Sequence, residues 1–509
     1  MKGIEINGSS LTVEKLAMIA RFKEKIFVSR ETLARLDENW KMLNELIEKG
    51  ETIYGVNTGF GGFGDKIISK ELGAEISKRT TRSHAAGVMN PLPEEIVRAA
   101  MACRINTLAK GCSGIRSTTL QTMIEMLNKN VVPVVYEKGS LGASGDLAPL
   151  AMMALVVMGE GEAFYKGKRM PGAKAMKAAG IKPIDMRRRE GLALFNGSQL
   201  MTGIGALAVY DAGILLKTAD ISASMSIDVL KTVMKAFDER LHALRPFKGQ
   251  NDVAANIRAL TAESEILAQK GKGTQSAYSL RCTPQVHGAS RDALEYAKKI
   301  VEIEMNSVAD NPIFITKDKA FLTGGNFHGQ PVAIAMDLLG IAIAEIANIS
   351  ERRINRMTSP HLNAGLPGFL VIGEEGLDSG LMMIHYSAAS LVSENKVLAH
   401  PASVDSIPVS GDQEDHVSMG TIAARKCREI INNAWGVLTI ELMCAAQALD
   451  IRRPLRGGIG TEAAYREIRK HIGKYSDSSD AVYSYFDKLF PAVVNGEILQ
   501  AVERKLKLK

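Results

Sequence analysis

Five long stretches without proline, 199–233, 289–307, 332–357, 380–399 and 421–448, constrain this chain more than any other feature. Each is far longer than an ordinary strand, and apolar residues recur along it at the spacing of one helical face. Helices so poor in polar positions need to be covered on most sides. The pattern therefore predicts a buried helical bundle, with partner subunits as one means of completing it. The first 195 residues read differently. They suggest a short strand at 4–6, helices capped by Thr12 and Ser29, a β-like run at 52–58, a helical span at 93–128 and a small hairpin at 161–167. The expected organisation is a predominantly α-helical protein, with a mixed N-terminal region at 1–195 and a long-helix region at 196–509.

Composition removes several functions. At 509 residues the chain exceeds one ordinary core. Its net charge of +7 is spread without a basic run, so nucleic acid is not an expected partner. The five cysteines are odd in number and scattered, which suits reduced core thiols rather than a disulfide frame. The opening residues lack an apolar signal segment, and apolar runs such as 148–158 are too short to span a bilayer. A cytoplasmic protein with no membrane partner is expected.

Between two apolar runs lies Gly139-Ser140-Leu141-Gly142-Ala143-Ser144-Gly145-Asp146-Leu147-Ala148-Pro149-Leu150. Its glycines imply a backbone in conformations that side chains forbid, or one closely approached by other atoms. If the loop bends so that the Gly145 nitrogen reaches the Ala143 carbonyl carbon, Ala143-Ser144-Gly145 can cyclise with loss of water. Loss of the Ser144 hydroxyl as a second water then leaves an exocyclic methylene, an electrophile that no ordinary side chain provides. Alone, the tripeptide is one that chance readily supplies.

Other polar motifs interrupt the helical pattern. They are Tyr54 beside the glycine-rich run 59–64, Ser83-His84, Phe195-Asn196-Gly197, Gln275 through Tyr278 to Arg281, Asn326-Phe327-His328, and Gln413-Glu414-Asp415-His416. Each has an ordinary explanation: a hydrogen-bonded His84, a packed Tyr54, an ion-paired Arg281, an acidic helix start at Glu414. The run 59–64 matches G-x-G-x-x-G, but no second strand and no acid follow where a dinucleotide fold needs them, so it reads as a flexible loop. His328 and His416 have no metal-ligand spacing, and neither H-E-x-x-H nor paired cysteines occur; no metal is expected. A serine hydrolase would need G-x-S-x-G.

Taken in order, the set resembles the aromatic amino acid ammonia-lyase family from about Tyr54 to Met419, and 139–150 is similar to its ring-forming signature nearly residue for residue. The resemblance implies a mainly α fold of the fumarase/aspartase-like superfamily, with a long central helical bundle and a smaller mixed N-terminal region carrying the loop. It implies a 4-methylidene-imidazol-5-one cofactor formed from Ala143-Ser144-Gly145, held by Asn196, Asp146 and Leu147. It further implies Tyr54 as the base for the β-proton, with a nearby positive field lowering its pKa. Tyr278 would orient the amine with Gln275 in support, Arg281 would grip the substrate carboxylate, and Phe327 would pack near the substrate ring. A homotetramer with sites shared between subunits is implied as well.

His84 and Glu414 resemble the branch acting on histidine, because they suit an imidazole and would leave a carboxylate unpaired against a phenyl ring. The expected reaction is elimination of ammonia from that amino acid to give urocanate. Phe327-His328-Gly329-Gln330 looks more like other branches, which keeps a tyrosine or phenylalanine lyase and a 2,3-aminomutase open. A non-catalytic helical scaffold and a nicotinamide oxidoreductase are the alternatives of other classes.

Overall fold

The apolar stretches form helices Gln199–Val229, Thr283–Met305, Gln330–Thr358, Met382–Leu398 and Gly420–Arg452. Thr283–Met305 starts ahead of its apolar pattern because a first helical turn tolerates Pro284. Gly420–Arg452 runs past its pattern and stops before Arg453-Pro454, where the residue preceding a proline disfavours the helix. The structure, a computed structural model, describes residues 3–269, 273–476 and 480–509. They divide into two compact units: Met1–Tyr210 with Ala297–Asp337 and Pro401–Arg425, and Asp211–Tyr296 with Leu338–His400 and Lys426–Lys509.

The first unit holds every strand among the described residues. Thr12 and Ser29 cap helices Val13–Ala20 and Arg30–Glu48, accepting from Lys15 N and Thr32 N. The predicted hairpin forms from Glu162–Tyr165 and Lys168–Pro171, and Lys166 and Gly167 both take positive φ, as a two-residue turn between twisted strands requires. The helical span at 93–128 is two helices, Glu94–Ala109 and Ser117–Asn128, separated where Gly111 and Gly114 adopt φ of 71° and 63°. The run 52–58 is not a strand. Asn57 closes a turn there, accepting from Ile53 N at 2.7 Å and donating to Glu51 O at 2.8 Å, and this local side-chain bonding outcompetes extended pairing. Beneath these elements the buried Arg98 donates to the carbonyls of Ile19, Ala20 and Leu127, closing the C-terminal ends of two helices.

The second unit is helical among the described residues, and its interior holds charge. Arg353 grips Glu441 through two bonds of 2.5 and 2.9 Å, and Ser226 and Ser350 donate to the same carboxylate at 2.6 Å. Asp220 accepts from Arg291 at 2.6 Å and Asn256 at 2.9 Å and pairs with His287 at 2.8 Å. The expectation that no apolar run reaches membrane-spanning length fails. Gln199–Val229, Gln330–Thr358 and Gly420–Arg452 are long and apolar enough by composition, because a helix tolerates isolated polar residues that interrupt a simple apolar run. In this fold 78%, 67% and 94% of their most apolar windows are buried in protein.

Candidate active site

In the first unit a cavity of about 760 Å³ is lined by Ser144, Tyr54, His84, Asn196, Phe327 and Glu414, together with Leu147, Phe60, Asn311 and Ser410. Residues from six separated parts of the sequence thus meet around the predicted loop.

The loop is bent into a tight turn. Gly145 N donates to Gly142 O at 3.2 Å, closing a turn over Ala143 and Ser144. Ser144 takes φ 48° and Gly145 φ 77°. Positive φ at a serine is uncommon and costs energy that surrounding contacts must offset. They do so on both sides: Gly197 N donates to Ser144 O at 3.2 Å, and Asp146 N donates to Gly197 O at 2.7 Å. A Cβ on Gly145 would collide with the Gly197 carbonyl, and one on Gly197 would collide with the Ala309 carbonyl and the Gln199 side chain, so each position needs glycine for its own neighbours. Asp146 is fully buried under the loop and accepts from Ser140 Oγ at 2.8 Å, Met201 N at 2.9 Å and the Thr421 hydroxyl. Burial nevertheless holds its carboxyl above the usual aspartate range. Ala143 packs on Val417 and Met419.

Around the turn stand the polar groups. The Ser144 hydroxyl donates to Glu414. Glu414 is fixed by backbone pairing with Val409 at 3.1 and 3.3 Å across a tight loop in which Ser410, Gly411 and Asp412 all have positive φ. Tyr54 Oη accepts from Gly61 N at 2.9 Å, which explains the glycine-rich run: it brings a backbone amide onto the tyrosine oxygen. Burial pushes the Tyr54 hydroxyl above its ordinary value. The Gly61 amide and Arg189 act against that shift, while Glu414 adds to it. The expected lowering of Tyr54 by a positive field is therefore reversed here, because desolvation is the largest effect.

His84 stacks on Phe195 with ring centroids 5.0 Å apart, and its Nδ1 lies 2.9 Å from the Thr80 carbonyl. A carbonyl only accepts, so Nδ1 carries the proton in this arrangement and Nε2 is left as an acceptor. Burial lowers the His84 pKa, favouring that neutral form. Asn196 donates to Asn311 O at 2.7 Å, while its buried Oδ1 has no partner. An orphaned acceptor in a cavity wall calls for a donor from a ligand.

Gln275, Tyr278 and Arg281 belong to the second unit and are not among the residues lining this cavity. There the Arg281 guanidinium lies 4.8 Å from the centre of the Tyr278 ring, Tyr278 is 71% exposed, and Gln275 lines a separate cavity of about 490 Å³ with Arg356 and His361.

Sequence reasoning missed the frame. Arg189 is buried, pairs with Asp310 at 2.8 Å and donates to the carbonyls of Ser113, Asn311 and Pro312, while Arg104 donates to the Asn196 carbonyl at 2.8 Å. The one available signal was Asp310-Asn311-Pro312, a turn-forming triplet beside an apolar strand. Phe60 and Ser410 carried no signal of their own beyond membership of glycine-containing loops.

Comparison with known proteins gives a consistent answer. The family model described as aromatic amino acid lyase matches residues 11–470. A histidine ammonia-lyase of Alkaliphilus oremlandii is 50% identical, with 100% of both chains covered. Among solved structures, a tyrosine aminomutase from Streptomyces globisporus superposes with TM-score 0.95 at 36% identity, covering 100% of both chains. A histidine ammonia-lyase from Trypanosoma cruzi superposes with TM-score 0.91 at 37% identity, covering 98% of this chain and 95% of that one. The fold is accordingly the helical fold of the fumarase/aspartase type. A bent Ala143-Ser144-Gly145 turn facing Tyr54, Asn196 and Glu414 is what that kinship leads one to look for, and this chain belongs to the aromatic amino acid lyase family.

Proposed function

We propose that the protein is a histidine ammonia-lyase, eliminating ammonia from L-histidine to give urocanate with a methylidene-imidazolone made from Ala143-Ser144-Gly145. The observation that carries this reading is the meeting of His84 and Glu414 with the Ser144 turn in one cavity. The turn closed at Gly142–Gly145, the positive φ of Ser144 and the unpartnered Asn196 Oδ1 fit the ring and the amine that would bond to it. The ring supplies an electrophilic carbon that converts a poorly leaving amine into a better one.

The chain's own groups would do the rest. Tyr54 Oη takes the β-proton, with the Gly61 amide supporting the phenolate. Asn196 Oδ1 accepts from the amine. His84 Nε2 or the Glu414 carboxylate can accept from the imidazole N–H, a donor that a phenyl ring lacks. A site built on such bonds rejects the analogue without them by roughly 10⁴-fold. Phe327 packs against the imidazole. Arg281 holds the carboxylate in a bidentate grip, and Tyr278 and Gln275 orient the amine. Those three act in a site shared between subunits of a cytoplasmic homotetramer.

A second reading has one observation in its favour, the superposition on a tyrosine aminomutase. The same cavity would then return the amine to the β-carbon instead of releasing it. The deciding experiment is an ultraviolet assay of the purified protein with histidine, phenylalanine and tyrosine in parallel, with product identification. Urocanate from histidine alone is expected. Turnover of tyrosine without histidine, or a β-amino acid product, would falsify the assignment. Ser144→Ala should fold, keep the mass of its unmodified chain and lose nearly all turnover, whereas the wild-type chain should be lighter by two waters.

A further inference from the structure

No metal motif is visible in the sequence, yet the second unit gathers three metal-ligating side chains from two helices. Glu467 and His471 are one turn apart on helix Ile459–His471 and so share a face. Glu497 stands in the first turn of helix Glu497–Glu503. One ligand atom from each of the three lies within 4.8 Å of the others. His471 Nε2 is 3.4 Å from a Glu497 oxygen and 3.9 Å from Glu467 Oε1. Hydrogen bonds of this type close at about 2.7–3.2 Å, so neither contact is one. The Nε2 atom is itself buried and has no hydrogen-bond partner.

The His471–Glu497 spacing that fails as hydrogen bonding suits coordination, and Glu467 Oε1 stands about half an ångström farther from His471. Two ligands each about 2.1 Å from a tetrahedral ion lie about 3.4 Å from each other. Glu467 is already oriented for it: Lys470 holds the other carboxylate oxygen, Oε2, at 2.6 Å, leaving Oε1 toward His471. We infer that Glu467, His471 and Glu497 form a site for one divalent transition-metal ion. One imidazole nitrogen and two carboxylate oxygens suit zinc, with water completing the tetrahedron. The ion would tie helix Glu497–Glu503 to helix Ile459–His471. It is a structural clip, and the elimination chemistry does not need it.

The test uses the full-length protein, stripped with a chelator and dialysed against zinc chloride, with bound metal counted. One zinc per chain is expected. His471→Ala and Glu497→Gln should each weaken binding by at least about tenfold, since even residues one step outside a metal's ligands cost that much. Zinc should raise the melting temperature of the wild type and not of either variant. If His471→Ala does not fold, Glu497→Gln and the wild type still decide. Failure of the wild type to hold stoichiometric zinc overturns the site, and so does wild-type affinity in either folded variant. Histidine turnover should be the same before and after chelation, which keeps this outcome separate from that of the proposed activity.

Discussion

Tyr54 is where local physics and the proposed chemistry pull in opposite directions. A base must lose its proton, yet burial and the neighbouring Glu414 both favour the protonated phenol, against Arg189 and the Gly61 amide. The consequence is a pH profile. With the phenol raised above its ordinary value, kcat/KM for histidine should climb with pH through the neutral and into the alkaline range. Glu414→Gln removes a negative charge that raises the phenol, so it should move that limb to lower pH even as it lowers histidine turnover far more than phenylalanine turnover. Parallel pH–rate profiles of wild type and variant check both signs, and an unmoved limb would separate Glu414 from Tyr54. Tyr54 was legible because it sits beside a glycine-rich run, and Glu414 because it lies in a run of four polar residues. What the motifs did not disclose is the tautomer of His84, set by the Thr80 carbonyl, or the Arg189–Asp310 pair beneath the site. A buried arginine leaves no trace in sequence until its partners are known.

At the scale of elements, periodicity located the long helices because it reports one physical fact, which side is buried. It overlooked the polar groups inside them. Arg353 and Glu441 lie in helices Gln330–Thr358 and Gly420–Arg452 with both side chains 0% exposed, and in sequence they resemble any surface pair. Removing Arg353 leaves the buried Glu441 carboxylate with no opposite charge and only the two serine hydroxyls beside it. Arg353→Ala should therefore destabilise the protein by about 3–5 kcal/mol. A double replacement of Arg353 and Glu441 by apolar residues of similar volume should recover much of that loss, since the pair's own desolvation offsets most of its attraction. Denaturant titration of the single and double variants measures the difference. The run at 52–58 failed for the converse reason: its apolar content suggested a strand, and one asparagine side chain bonding its own backbone made a turn instead.

At the scale of the whole molecule, the proposed carboxylate grip of Arg281 depends on assembly. Tyr278 is 71% exposed, and Met383 and Tyr386 on helix Met382–Leu398 are 56% and 57% exposed, a costly arrangement for a lone chain and a usual one for a subunit face. The proposed sharing of sites in a homotetramer turns this into a complementation test. Tyr54→Phe and Arg281→Ala should each abolish most turnover when purified alone. If a site takes Tyr54 from one subunit and Arg281 from another, unfolding and refolding the two variants together should create some sites with both residues intact. Random mixing in equal amounts makes that fraction about one quarter of all sites. Recovery toward a quarter of wild-type turnover is the expected result, with no recovery when each variant is refolded by itself. If each chain instead supplies both residues to its own site, every site in the mixture carries one of the two lesions and no activity returns.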